Sequence, residues 1–213
     1  GQRIKRLYAF AQNNIYTGGN KAGVYDGAYL ILFSSQNGKL EIHQLLKNGK
    51  LGCNLLSKTL TDVNRNFIGY NLNGERYLLQ HEFISGNVVI NKITNRSTIL
   101  GDEVFQDNWS SNWDIFKVFY TQTNAFLFHL KSFDGTVHTN KLTNNGVSTR
   151  VQEMDWSNDW DVANICYKNN IPYLFHLKST TGLMHINKLT EDGIISTRTD
   201  DQTWTAGWNI AEC

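Results

Sequence analysis

FLFHLKSFDGTVHTNKLTNNGVSTR, residues 126–150, is written again at residues 173–198 as YLFHLKSTTGLMHINKLTEDGIISTR. His129 and His176, Gly135 and Gly182, His138 and His185, and Lys141 and Lys188 correspond, each pair 47 residues apart. Two fainter copies fit the same frame upstream: YLLQHEFISGNVVINKIT at residues 77–94 about Gly86, and YLILFSSQNGKLEIHQL at residues 29–45 about Gly38. The four glycines are spaced 48, 49 and 47 residues apart. A period in this range belongs to propellers and other arrays whose units cannot bury their apolar surface alone.

Within a copy the pattern is β. Phe126, Phe128 and Leu130 alternate with Leu127, His129 and Lys131, which predicts a strand with one apolar and one mixed face. Asn37-Gly38, Ser85-Gly86, Asp134-Gly135 and Thr181-Gly182 then stand where a tight hairpin needs positive φ. A second strand over Val137–Leu142 leads to Asn145-Gly146, matched by Asp192-Gly193 and Asn48-Gly49, and to a third strand near Val147–Glu153. An opening strand follows each tryptophan pair: Trp113 begins WDIFKVFY, Trp160 begins WDVANICY and Trp208 begins WNIAEC.

Four short antiparallel strands per repeat make a propeller blade. The expected fold is therefore all-β, a β-propeller of four-stranded antiparallel blades centred near residues 29–60, 77–107, 126–156 and 173–204. The count is four blades, or five if Arg6–Tyr25 supplies degenerate strands of another. Residues 208–213 are expected to pair with Tyr29–Ser35 and close the ring, removing two sheet edges.

The repeat leaves no room for a second domain in 213 residues, so residues 1–213 are expected to form a single propeller domain. A net charge of +1, from 20 basic and 19 acidic residues mixed along the chain, builds no field for phosphates, so no nucleic-acid partner is expected. No apolar run is long enough to span a membrane, and no membrane insertion is expected. Cys53, Cys166 and Cys213 match no zinc motif and allow at most one internal bridge. No cofactor or metal is called for. The chain starts at Gly1-Gln2, which fits a removed signal peptide and a secreted protein, and equally a removed tag or initiator. Asn95-Arg96-Ser97 and Asn108-Trp109-Ser110 would be glycosylation sequons in a eukaryotic secretory pathway.

Candidate functional residues repeat with the fold. The six tryptophans form the pairs Trp109 and Trp113, Trp156 and Trp160, and Trp204 and Trp208. The inner members Trp113, Trp160 and Trp208 are assigned to packing between blades, and the outer ones Trp109, Trp156 and Trp204 are candidates for stacking on sugar rings. His129 and His176, with Gln80 in the corresponding place, read as hydrogen-bonded interior residues, whereas His138 and His185 follow the turn and are candidates for ligand contact. Asn91-Lys92, Asn140-Lys141 and Asn187-Lys188 recur at a strand end, offering amide and ammonium donors to sugar hydroxyls beside an indole. No GxSxG, HExxH, P-loop or dinucleotide fingerprint is present, and each notable polar residue has counterparts, so the expectation is several equivalent binding sites and no enzyme.

The repeat, with its paired tryptophans, aromatic FLFHLK strand and Asp-Gly turn, resembles the bladed β-propeller lectins, with tachylectin-like proteins nearest in length and period. The resemblance covers about residues 29–213 and is one of architecture. Integrin-like propellers with calcium loops fit worse, because the Asp-x-Asp-Gly spacing is missing. The resemblance implies a carbohydrate-binding protein, a multivalent lectin with weak equivalent sites for glycans or glycoproteins on cell surfaces, and admits a homo-oligomer. The alternatives are a hemopexin-like propeller binding a protein or small ligand, and an adhesion or toxin-targeting module.

Overall fold

A computed structural model describes residues 6–10, 28–34, 36–45, 50–61, 63–93 and 100–208. Every regular element among them is a β-strand. The first blade holds β1 (Arg6–Phe10), β2 (Ala28–Ser34), β3 (Lys39–Leu45) and β4 (Leu51–Thr59). The second holds β5 (Arg65–Leu72), β6 (Glu75–Glu82), β7 (Asn87–Ile93) and β8 (Leu100–Asn108). In the third are β9 (Ile115–Tyr120), β10 (Ala125–Leu130), β11 (Thr136–Thr143) and β12 (Gly146–Asp155). The fourth is β13 (Val162–Lys168), β14 (Ile171–Leu177), β15 (Leu183–Leu189) and β16 (Ile195–Thr203).

Each blade is an antiparallel meander with its strands in sequence order. By their internal contacts the residues fall into two compact units, Gly1–Trp109 with the first two blades and Ser110–Cys213 with the last two. The expected strands are all found in the described residues except one. Arg6–Phe10 opens the first blade rather than a fifth, with Arg6 opposite Phe33 and Phe10 opposite Tyr29. It takes the edge of β2 that the sequence assigns to residues 208–213, as the lower loop-closure entropy of the nearer strand favours. Trp208 is in no strand, and residues 209–213 lie outside the described ones.

The turn glycines have the expected backbone in a longer turn than expected. β10 and β11 are joined by five residues, Lys131–Gly135, with Gly135 at φ +80°. Its N–H donates to the Lys131 carbonyl at 2.9 Å, and its own carbonyl accepts from Trp156 N–H at 2.9 Å. Gly38, Gly86 and Gly182 make the same pair of bonds, their carbonyls reaching Leu60, Trp109 and Trp204. The glycine thus ties the turn to the end of the fourth strand. A Cβ on Gly135 would lie 2.0 Å from the Trp156 carbonyl oxygen, and one on Gly182 1.9 Å from that of Trp204. Gly135→Ala is therefore expected to cost at least about 2 kcal/mol, since a left-handed residue with a Cβ is strained before the carbonyl is displaced. A urea melt within about 0.5 kcal/mol of wild type would show that the turn yields.

The core lies between blades. In the first unit Ile31, Phe33, Leu40 and Ile42 of the first blade pack on Phe67 and Leu78 of the second. In the second unit Phe126, Phe128, Leu130 and Val137 of the third blade meet Trp160, Ala163, Leu174, Leu189 and Ile195 of the fourth. All six residues of β10 are buried, so its expected mixed face is buried as well. On that face the Trp113 indole and the Phe116 ring both pack on His129.

Candidate functional site

Trp113 and Trp160 are each delivered to their blade by a turn and an acid. Asn112 and Asp159, just before Trp113 and Trp160, have φ of +70° and +69°. Short polar Asn and Asp tolerate that region better than other side-chain-bearing residues. Just after the tryptophans, Asp114 and Asp161 accept from the backbone N–H of Ser132 at 3.0 Å and of Ser179 at 2.8 Å, and bond the same serine hydroxyls. The second blade has an ion pair, Arg65 with Glu82, at this junction.

So held, Trp113 packs on His129 at 4.2 Å and His138 at 4.7 Å between centroids, and Trp160 on His176 at 4.3 Å and His185 at 4.6 Å. Both are buried, as expected. Trp208 is not: it is 55% exposed. The chain after Trp208 lies outside the described residues.

The outer tryptophans differ among themselves. Trp156 lies flat on His176, at 4.2 Å and 18° between planes, and edge-on to Trp160 at 6.0 Å, so it is a wedge in the seam between the third and fourth blades. Trp109 is half-buried, with its indole N–H on Asp107 at 3.0 Å. Trp204 is 41% exposed, with its N–H on Gln202 at 3.1 Å.

The Asn-Lys pairs come apart in the structure. The Oδ1 atoms of Asn91, Asn140 and Asn187 each receive a bond at 2.9 Å, from Gln80 Nε2, His129 Nε2 and His176 Nε2. On the other side Asn91 Nδ2 donates to the Gly101 carbonyl at 3.3 Å and Asn187 Nδ2 to that of Ser196 at 3.2 Å. These carbonyls sit where the register with the fourth strand slips, so each amide seals a β-bulge. Asn91 and Asn187 therefore spend both amide groups inside the sheet. The neighbouring lysines project from the opposite face, as period two requires: Lys141 is half-buried, Lys188 is exposed, and Lys92 pairs with Glu75 at 3.1 Å.

A different ammonium meets each indole. Lys131 Nζ lies 4.9 Å above the Trp113 ring and Lys178 Nζ 5.1 Å above that of Trp160, where it also donates to the Ser157 hydroxyl at 2.9 Å. On the adjoining fourth strand Arg150 is paired with Glu153, and Arg198 with Asp201 at 3.4 Å. All four of these side chains are half or more exposed. Glu153 Oε1 is 3.4 Å from His138 Nε2. Burial first, then the Arg150 and Arg198 guanidinium groups, hold His138 and His185 below the usual imidazole range, so both are neutral near pH 7.

The same constellation of ammonium over indole, imidazole and exposed arginine–carboxylate pair therefore stands twice, on the third and fourth blades. The sequence analysis singled out His138 and His185 from it but missed Lys131, Lys178, Arg150, Arg198, Glu153 and Asp201. Their signal was legible: Lys131 follows His129 by two residues and shares its face, and both quoted copies end on arginine with an acid three residues on. Cys166 is disulfide-bonded, and Cys53 is free and exposed. Among the described residues no group of His, Cys, Asp or Glu could hold a metal ion.

No protein-family model and no curated protein matches the chain. Solved structures do. A protein from Bacteroides fragilis provisionally named as a 6-phosphogluconolactonase matches with a TM-score of 0.62 at 13% identity, over 89% of this chain and 57% of its own. An exo-β-1,3-galactanase from Phanerochaete chrysosporium, with galactose, matches with a TM-score of 0.54 at 13% identity, over 85% and 48%. One from Clostridium thermocellum gives 0.56 at 10% identity, over 86% and 46%. The chain thus spans about half the length of these structures. At such identities the likeness defines the fold, a β-propeller, to which this chain contributes four four-stranded blades. The comparisons correct one expectation from the sequence. Structures named as enzymes share this fold, so the lack of a catalytic motif does not make this chain a non-enzyme.

Proposed function

We propose that this protein is a lectin-like glycan-binding propeller whose sites are the two equivalent constellations on the third and fourth blades. The observation that carries this is their repetition. Lys131, His138, Arg150 and Glu153 recur as Lys178, His185, Arg198 and Asp201, while the second blade forms the same sheet with Glu82 and Val89 at the Lys131 and His138 positions. Folding does not require these polar groups, and ligand contact gives a reason for them. Ammonium, guanidinium and carboxylate side by side offer donors and acceptors to neighbouring hydroxyls. A galactose-bound galactanase among the structures of like fold also supports a saccharide ligand.

Each site presents an exposed arginine–carboxylate pair and a half-buried lysine, so single-site affinity is weak and binding to a glycan-coated surface gains from simultaneous engagement. A glycan array followed by calorimetry tests this, with reducing-sugar release measured on every bound glycan so that turnover is read beside binding. The expected result is about two monosaccharide-level sites per chain and agglutination of red cells that free sugar blocks. Silence across a broad array would overturn the proposal and favour a protein or small-molecule ligand.

A further inference from the structure

The two constellations share an imbalance of charge. Around each histidine act two cations, Lys131 and Arg150 or Lys178 and Arg198, and one carboxylate, Glu153 or Asp201; in the third blade Asp134 also lies in the field of Lys131, where the fourth blade has Thr181. The chain as a whole carries only +1 with its charges mixed, so the excess is local. Glu153 and Asp201 are engaged by the arginines. Among the described residues neither Lys131 nor Lys178 forms an ion pair; each ammonium lies over an indole, and Lys178 adds a neutral hydroxyl. The field at the neighbouring imidazoles is positive as well. At His138 the Arg150 guanidinium and the Lys131 ammonium oppose the Glu153 carboxylate 3.4 Å away, and at His185 Arg198 outweighs Asp201, with Lys178 acting in the same direction.

The repeat does not demand this. In the second blade the Lys131 position is Glu82, which neutralises Arg65, and in the first blade it is Ser34. An ammonium that lies over an indole and forms no ion pair can receive an anion, because the partly dehydrated cation gains more from a counter-charge than one in free water. The exposed arginine that acts on the same histidine can exchange its carboxylate for a ligand oxyanion at little cost, since such surface pairs contribute little.

We infer, on the footing of the glycan-binding function proposed above, that both sites select acidic saccharides, the ligand's carboxylate or sulfate being received by Lys131 with Arg150 and by Lys178 with Arg198. The neutral hydroxyls of the same sugar then face Glu153 or Asp201, and the acid group decides specificity.

The test is calorimetry of the full chain with three probes of equal length: a galacturonate tetrasaccharide, a sulfated heparin-derived tetrasaccharide and neutral cellotetraose, each at low and high salt. One or both acidic probes should bind at least about tenfold more tightly than the neutral one at low salt, and lose that margin as salt screens it. The two acidic probes separate carboxylate from sulfate as the group recognised. Lys131→Met and Lys178→Met keep the stem over the indole and remove the charge; each should abolish one acidic site, and the double variant both, without changing the melting temperature by more than about 2 °C. Equal affinity for the neutral probe would overturn the inference and leave the glycan-binding function standing. Binding of no saccharide would overturn both. Acidic binding unchanged in the double variant would show that the anion is held elsewhere.

Discussion

Replacing Trp160 by alanine is expected to lower the stability of the Ser110–Cys213 unit by about 4 kcal/mol. Its indole is 3% exposed and lies between the apolar face of the third blade and the His176 and His185 rings of the fourth. Large aromatic-to-alanine changes in cores cost about 3–5 kcal/mol, the cavity adding to the lost transfer energy. Collapse cannot refill this site, because Trp156 is already fixed flat on His176 and both blades are pinned by their sheets. The substitution also strips the surface beneath Lys178, so the saccharide site proposed for the fourth blade should be lost with the packing. Trp204→Ala is the contrast: its ring is 41% exposed, and the expected cost is under about 1.5 kcal/mol. Urea melts of both variants decide this. Near-equal losses would mean that inner and outer indoles do not play different parts.

That division was legible in the sequence for Trp113 and Trp160, and neither for Trp208 nor for the outer tryptophans. Trp113 and Trp160 each stand directly before an acidic residue and a run with strand alternation, so their place at a blade's entrance could be read. What Trp156 does depends on His176, the next blade's residue twenty positions away, and a periodic pattern does not say which elements of neighbouring repeats touch. The first blade shows the same limit from another side. Arg6–Phe10 alternates as a strand should, yet its partner is set by pairing with β2, and residues 208–213 had an equal claim by pattern alone.

The site was half legible for a definite reason. Asn140 and Asn187 were read as ligand donors because they repeat, but a β-bulge repeats as faithfully as a binding site, and a bulge needs an amide to satisfy the carbonyl it exposes. Repetition marks a constraint without saying whether fold or ligand imposes it. Comparison between repeats separates the two: Asn persists in the second blade, where Gln80 replaces histidine and keeps the bond, so that amide belongs to the fold. The lysine of the FHLK run does not persist, being Glu82 there, and so is the better candidate for function.

Acidification from pH 7 to pH 4 is expected to remove about 3 kcal/mol of stability through His176 alone. The ring is almost fully buried, and Asn187 Oδ1 can only accept, so Nε2 carries the proton of the neutral imidazole and Nδ1 faces no hydrogen-bond acceptor. A second proton would sit on that Nδ1, buried, beside the His185 ring and within the field of Arg198. Stacking between Trp156 and Trp160 would return up to about 2 kcal/mol as a cation–π interaction, which is less than dehydrating a buried charge costs. Burial thus pushes the imidazole down from 6.5 to about 4.

Because the folded value lies below the unfolded one, the stabilisation is complete above pH 6.5 and is lost as pH falls toward 4. The carboxylate of Glu153, held below its usual range by Arg150, begins to lose its own contribution only at the acid end of that window, and does so equally in wild type and in the variant below. His176→Gln isolates the effect, since Gln80 already makes the corresponding bond to Asn91 at 2.9 Å. The variant should lose about 1 kcal/mol at pH 7 from weaker stacking, yet be less sensitive to acid than wild type by most of the 3 kcal/mol. Denaturant melts at half-unit steps between pH 7 and pH 4 measure both chains. Parallel curves would mean that the histidine is protonated without strain, and that the seam between the third and fourth blades tolerates a buried charge.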